Sequence, residues 1–165
     1  MLDQFIGAAT AVGATIKRFT DYQDAGAYIR GFADQGIAAS CLSPQTESLL
    51  EGLSLAPPAL YAETRACISE AKAGIASTGS LVLDIADQTG RAATALAPVH
   101  LVILKVSTLL PDLYAAHELL AKALGNGNAY YTITTGPSRT ADIERVLTIG
   151  VHGPKELHIL IMENE

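Results

Sequence analysis

The run at residues 99–106, VHLVILKV, sets the tightest limit on what this chain can fold into. Successive residues of a strand point to opposite faces, and here both faces are apolar apart from His100 and Lys105. A strand buried on both sides belongs inside a parallel sheet covered by helices. The preceding sequence supplies those helices. Leu2, Phe5, Ile6, Ala9 and Val12 recur at helical spacing, and residues 14–19 read as a short strand. Thr20 and Gln23 fit a capping box ahead of the stripe Tyr22, Ala25, Ile29 and Phe32. Residues 37–42 read as a buried strand, and Ser43-Pro44 as the cap and first position of a short helix ending near Gly52. This alternation predicts an α/β layer architecture.

Further along, residues 68–76 are ambiguous, being alanine-rich and holding Glu70 and Lys72. Residues 81–83 read as a strand, and 87–93 carry a Thr89-Gly90 turn signal. Residues 112–124 read as a helix, with Glu118 four residues before Lys122. Strands are expected at 129–135 and 157–162, and a short helix is expected to begin near Thr140. The predicted sheet core includes Leu81, Leu83, Val102, Leu104, Ile133 and Leu160. Pro57-Pro58 marks a connection too short for a domain linker, so residues 1–165 are taken as one domain.

Composition removes several function classes. Apolar content is 49% against 17% charged, which excludes disorder as the main state. The 11 basic residues are scattered and the net charge is -6, so no basic face suits a phosphate backbone, and nucleic acid is not an expected partner. No apolar run approaches the ~20 residues of a membrane span, and the N-terminus lacks a signal-peptide pattern, so a cytoplasmic protein without membrane attachment is expected. The 2 cysteines, Cys41 and Cys67, have no cluster or zinc spacing and read as free thiols. The dinucleotide, P-loop and nucleophile-elbow motifs are all missing.

Three constellations could carry chemistry. Ser77-Thr78-Gly79-Ser80 precedes a strand, and its amides could cradle an anion or simply close a turn. Gly136-Pro137-Ser138-Arg139-Thr140-Ala141-Asp142-Ile143-Glu144 follows a strand. Arg139 could hold a carboxylate or phosphate bidentately, with Ser138 and Thr140 beside it and Glu144 orienting it, or it could pair structurally with Asp142 or Glu144. In the third stretch, residues 150–158, His152 lies in a glycine-flanked turn, and Glu156 and His158 alternate onto one strand face. No metal site is expected there, because a third close ligand is lacking. His100 opens the central strand and must find a polar partner, whether structural or lining a pocket. The candidate ligand-binding set is therefore Thr78, Gly79, Ser80, His100, Ser138, Arg139, Thr140, Glu144 and His152.

Residues 136–144 and 150–159 together resemble the C-terminal signature of the LUD-domain family, of the lactate-utilisation protein C type. Residues 75–83 (IASTGSLVL) and 98–103 (PVHLVI) resemble two further signatures, in the family's order. The resemblance implies a Rossmann-like three-layer α/β/α sandwich, similar to the deaminase, isomerase and CoA-transferase superfamily. It also implies a cluster-free subunit working beside an iron–sulfur oxidoreductase and an iron–sulfur electron carrier in oxidation of L-lactate to pyruvate. Iron–sulfur clusters are then expected only in the partner proteins. The family supplies no catalytic residue to carry over. The alternative is a stand-alone small enzyme or sensor binding a carboxylate or phosphorylated metabolite, and a homo-oligomer is compatible with either. This chain departs from the family pattern at Ser77 and Lys72, where acidic residues are usual, and is short at its N-terminus for the family.

Overall fold

Five parallel strands carry the architecture. The computed structural model describes residues 1–34, 36–125, 130–141, 147–149 and 153–164. Along the chain run α1 (Leu2–Ala11), β1 (Thr15–Phe19), α2 (Tyr22–Arg30), β2 (Ile37–Ser40), α3 (Pro44–Glu47), β3 (Ala66–Glu70), β4 (Ala73–Ile75) and β5 (Ser80–Asp84). There follow α4 (Gln88–Leu96), β6 (Val99–Lys105), β7 (Leu109–Leu110), α5 (Leu113–Leu124), β8 (Tyr131–Thr134), β9 (Arg139–Ala141), β10 (Leu147–Ile149) and β11 (Glu156–Met162). The parallel sheet has the order β1-β11-β6-β3-β2, with the VHLVILK segment in its centre.

The period of two along β6 sorts its side chains between two cores. Val99, Leu101 and Ile103 face Ala25 and Ile29 of α2 and Leu49 and Leu50. Val102 and Leu104 face Phe5 and Ala9 of α1 and Leu81 and Leu83 of β5. Both faces of the sheet are thus covered, which is why the strand can be apolar throughout. On the second face, α4 packs Ala93 against Ala38 of β2 and Cys67 of β3. The α/β sandwich with helices on both faces is therefore borne out.

The addition is a four-stranded mixed sheet, order β7-β4-β5-β8, whose outer side α5 covers through Ala116 against Ala73, Ile75 and Val82. Residues 68–76, ambiguous in the sequence, are two short strands because the chain passes here from one sheet to the other. The turn expected at residues 87–93 is instead helix α4, in which Asp87 caps Gly90 N–H at 2.9 Å. α2 is capped by Asp21 rather than Thr20, its carboxylate accepting from Asp24 N–H at 2.9 Å. Ile133 is 45% exposed rather than in the core, because β8 is an edge strand of the small sheet. The other five predicted core residues are buried.

Candidate functional site

The parallel sheet carries a cleft at each end of its strands. At the amino ends, a cavity of about 520 Å³ is lined by His100, Thr132, Thr134, Thr135, Ser138 and Arg139, with Gly136, Gly153 and Pro154. Close backbone approaches build it. Gly136, at φ 70°, packs so near the C-terminus of α1 that a Cβ there would lie 2.5 Å from the Val12 carbonyl oxygen. Gly153, at φ 134°, lies against Ser138, leaving 3.0 Å to that side chain for a Cβ. Ser138 N–H donates to the Pro154 carbonyl at 2.9 Å, tying the turn after β8 to the loop before β11. Arg139 Nη2 donates to the Val12 carbonyl at 2.7 Å.

His100 lines the cleft's inner wall and is backed by a buried serine. His100 Nε2 lies 2.7 Å from Ser69 Oγ, and both side chains are buried. Burial pushes the imidazole down to about 4, so His100 is neutral near pH 7. A hydroxyl chain borders the cleft: Thr78 Oγ1 to Ser80 Oγ at 2.7 Å, then Ser80 Oγ to Thr135 Oγ1 at 2.7 Å. Among the described lining residues there is one cation, Arg139, and no carboxylate.

The structure thus joins His100, Ser138 and Arg139 in one cavity and brings the Thr78–Ser80 turn to its rim through Thr135. Two expectations change. The amides of Thr78 and Gly79 both donate to the Ile75 carbonyl, at 3.3 and 2.9 Å, because the segment is a β4–β5 hairpin turn. They are occupied, so only the hydroxyls of Thr78 and Ser80 face the network. The helix expected near Thr140 is instead strand β9, which pairs antiparallel with β10. Among the described residues, no helix N-terminus follows Arg139. Asp142, Glu144 and His152 lie outside the described residues. Glu156 and His158 do share a face, with His158 Nε2 2.9 Å from Glu156 and its Nδ1 2.9 Å from Tyr28 Oη. They belong to the α2 side of the sheet, away from this cleft.

The second cleft, about 330 Å³, lies at the carboxyl ends of β2 and β3 and is lined by Cys41, Ser43, Glu70, Lys72, Asp84 and Asp87. Glu70 Oε2 accepts from Ser43 N–H at 2.9 Å and from Thr46 Oγ1 at 2.7 Å, and Oε1 sits 3.2 Å from Lys105 Nζ. Burial pushes this carboxyl up, but the hydrogen bonds from Ser43, Thr46 and Lys105 outweigh it and hold Glu70 below the ordinary range. Cys41 is in the left-handed region at φ 53°, and burial raises its thiol, so it is no thiolate at neutral pH. The sequence reading passed over this cleft. Ser43-Pro44 was legible only as a cap, and Glu70 and Lys72 fell in the ambiguous segment. The signal that could have found it is positional: polar residues directly after buried parallel strands. Among the described residues, no three His, Cys, Asp or Glu side chains gather in a group able to hold a metal, and no helix is long and apolar enough to cross a membrane.

Comparison with known proteins follows the same outline. The uncharacterized protein YkgG of Escherichia coli (strain K12) is 37% identical over 97 residues, which are 57% of this chain and 42% of that protein. Lactate utilization protein C of Bacillus subtilis (strain 168) is 32% identical over 93 residues, 54% of this chain and 39% of that protein. Lactate utilization protein C of Deinococcus radiodurans is 30% identical over 110 residues, 64% of this chain and 51% of that protein. The chain thus matches about half, or less, of the length of these curated relatives. A crystal structure of a DUF162 family protein from Deinococcus radiodurans shares the fold, with a TM-score of 0.67 over 98% of this chain and 95% of that one at 16% identity. The family model for the LUD domain matches residues 59–162, a span holding every lining residue of the amino-end cleft. On that match, the chain belongs to the LUD domain family.

Proposed function

We propose that this chain, a single LUD-type domain, is a cluster-free component of an L-lactate utilisation system. It works beside an iron–sulfur oxidoreductase and an iron–sulfur electron carrier in the oxidation of L-lactate to pyruvate, and its amino-end cleft holds a small carboxylate. The names of the Bacillus and Deinococcus relatives support the system. The observation that carries the site is the cleft's charge: Arg139 and a lining of threonine and serine hydroxyls, with no carboxylate among the described lining residues. A guanidinium has five N–H donors in a planar fork, and the bond to Val12 engages one nitrogen. Holding Arg139 in this way limits its side-chain freedom and orients the fork before a ligand arrives. The carboxyl-end cleft offers the opposite field, with Glu70, Asp84 and Asp87 against Lys72.

Melting curves against L-lactate, pyruvate, phosphate and sulfate at constant ionic strength test the site. At 100 times its dissociation constant, a ligand bound only to the native state adds about 2.7 kcal/mol. For a chain of this size that raises Tm by roughly 5–10 °C. Arg139→Ala removes the shift, and Arg139→Lys weakens it because the fork is lost. A parent Tm unmoved by the whole panel overturns the site. Co-expression with candidate iron–sulfur partners tests the system. Stable co-purification and lactate-dependent dye reduction that need this chain are expected, and their absence overturns the assignment.

A further inference from the structure

The Ser69–His100 pair is the part of the cleft that a plain carboxylate would not use. It lies on the sheet face that also carries Cys67, Val102 and Leu104, and of the two residues His100 is the one that lines the cleft. Parallel register places His100 beside Cys67, two residues before Ser69 on the same face of β3. A hydroxyl and an imidazole buried here sacrifice solvation that two apolar side chains would not. Replacing both members of a buried hydrogen-bonded pair by apolar groups of similar shape is often close to neutral for stability. The fold by itself therefore gives little reason for a histidine at this position.

What the pair can do follows from its hydrogen-bonding inventory. A neutral imidazole has one N–H and one lone pair, on different nitrogens. Nε2 faces Ser69 Oγ at 2.7 Å, and Nδ1 is the ring's second hydrogen-bonding position. The serine hydroxyl can rotate. When it donates to Nε2, the ring carries its proton on Nδ1 and offers a donor. When it accepts from Nε2–H, Nδ1 offers a lone pair. The ring can thus present either polarity without becoming charged. A 2-hydroxyl group can donate its proton to an acceptor, whereas a 2-oxo group only accepts.

We infer that the Ser69–His100 pair reads the oxygen on the carbon beside the ligand's carboxylate, so the cleft takes 2-hydroxy and 2-oxo carboxylates alike and discriminates against the plain carboxylate of the same size. This rests on the proposal that a carboxylate binds at Arg139. In that arrangement Arg139 takes the charge common to all three ligands, and His100 tells them apart.

The test compares L-lactate, pyruvate and propionate on the full chain by calorimetric titration. Lactate and pyruvate should bind within about threefold of each other, and propionate roughly tenfold more weakly, as expected for one net hydrogen bond. In the double variant Ser69→Ala, His100→Leu, which leaves neither partner buried alone, all three ligands should bind with the affinity of propionate. His100→Gln, which can both donate and accept, should retain part of the preference. Equal binding of propionate and lactate by the parent overturns the inference, as does a double variant that keeps the preference. More than about tenfold separation between lactate and pyruvate overturns the switching of polarity. In each of these cases carboxylate binding at Arg139 survives. If none of the three binds the parent, the reading of the cleft itself falls.

Discussion

The two clefts share the same five strands and are built in opposite ways. The carboxyl-end cleft lies at the end of the sheet where open α/β proteins usually bind ligands, yet its carboxylates Glu70 and Asp87 already serve the fold, Asp87 as the cap of α4. Glu70, at the end of β3, takes three donors, two from α3 and its cap and one from β6, and works as a clamp between the three elements. The amino-end cleft lies at the less usual end, and its wall comes from loops and the added mixed sheet rather than from strand tips alone. Its polar groups are hydroxyls, a neutral imidazole and one guanidinium. The lesson is that position in the sheet and readiness for a ligand are separate properties. Here the small sheet, by reaching Thr132–Thr135 over the amino ends, puts the proposed carboxylate site at the less expected end.

Backbone packing gives the largest contrast. Gly79 sits at φ 66°, and a Cβ there would overlap the backbone of Ala8 and Ala9, so nothing can give way without moving α1. Gly90, in α4 at the other end, has side-chain ends as its nearest neighbours, the Ser40 hydroxyl and the Asp87 carboxylate. Gly79→Ala should lose about 3 kcal/mol, combining overpacking with left-handed strain, and lower Tm by roughly 6–12 °C. Gly90→Ala should stay within about 1 kcal/mol of the parent, because the gain in helix propensity offsets a small adjustment. Thermal melts of both variants check this, and the reverse order would make the carboxyl end the tighter of the two.

Acid should then act on the two ends in different windows. His100 has its folded value pushed down to about 4, against an unfolded value near 6.5. Between those values the unfolded chain holds a proton that the folded chain does not, so stability falls as pH drops through the window. The full loss is about 3 kcal/mol. Urea titrations from pH 7 to pH 4 should show this slope in the parent and a shallower one in the Ser69→Ala, His100→Leu variant. Equal slopes would mean that His100 is not buried neutral.

The uneven legibility of the fold has a physical basis. β6, α1 and α5 were readable because each has one unbroken period, of two or of 3.6. The β3–β4 segment was not, because the chain changes sheets there and every residue of β4 is buried whichever way it points. β9 was misread as a helix because the Gly-Pro turn before it suits either outcome, and pairing with β10 decided it. Of the site, Ser138, Arg139 and His100 were legible as residue types that need a reason to be where they are. Their meeting was not, since it depends on Gly136 and Gly153 bringing three distant loops within van der Waals contact. The sequence left Arg139 open between a bound anion and a nearby acid, and among the described residues its partner is a main-chain carbonyl 127 residues away, beyond any local pattern.

The smallest effect tests which end is the ligand site. Glu70→Gln is nearly isosteric, but the amide cannot satisfy the carboxylate's neighbours. With its oxygen toward Ser43 N–H and Thr46 Oγ1, its NH₂ faces the Lys105 ammonium, donor against donor. Flipped, the NH₂ faces Ser43 N–H instead. The variant should lose about 1–2 kcal/mol at pH 7, as for one charge-assisted hydrogen bond left unmade. Because Glu70 is held below the ordinary range, its contribution is present above the unfolded value near 4.3 and is lost as pH falls below it. The difference between parent and variant should therefore close below about pH 4. Lactate and pyruvate should still raise the variant's Tm as they raise the parent's, since Glu70 does not line the amino-end cleft. A folded Glu70→Gln protein that no longer responds to either ligand, beside an Arg139→Ala protein that still does, would reverse the assignment of the two clefts.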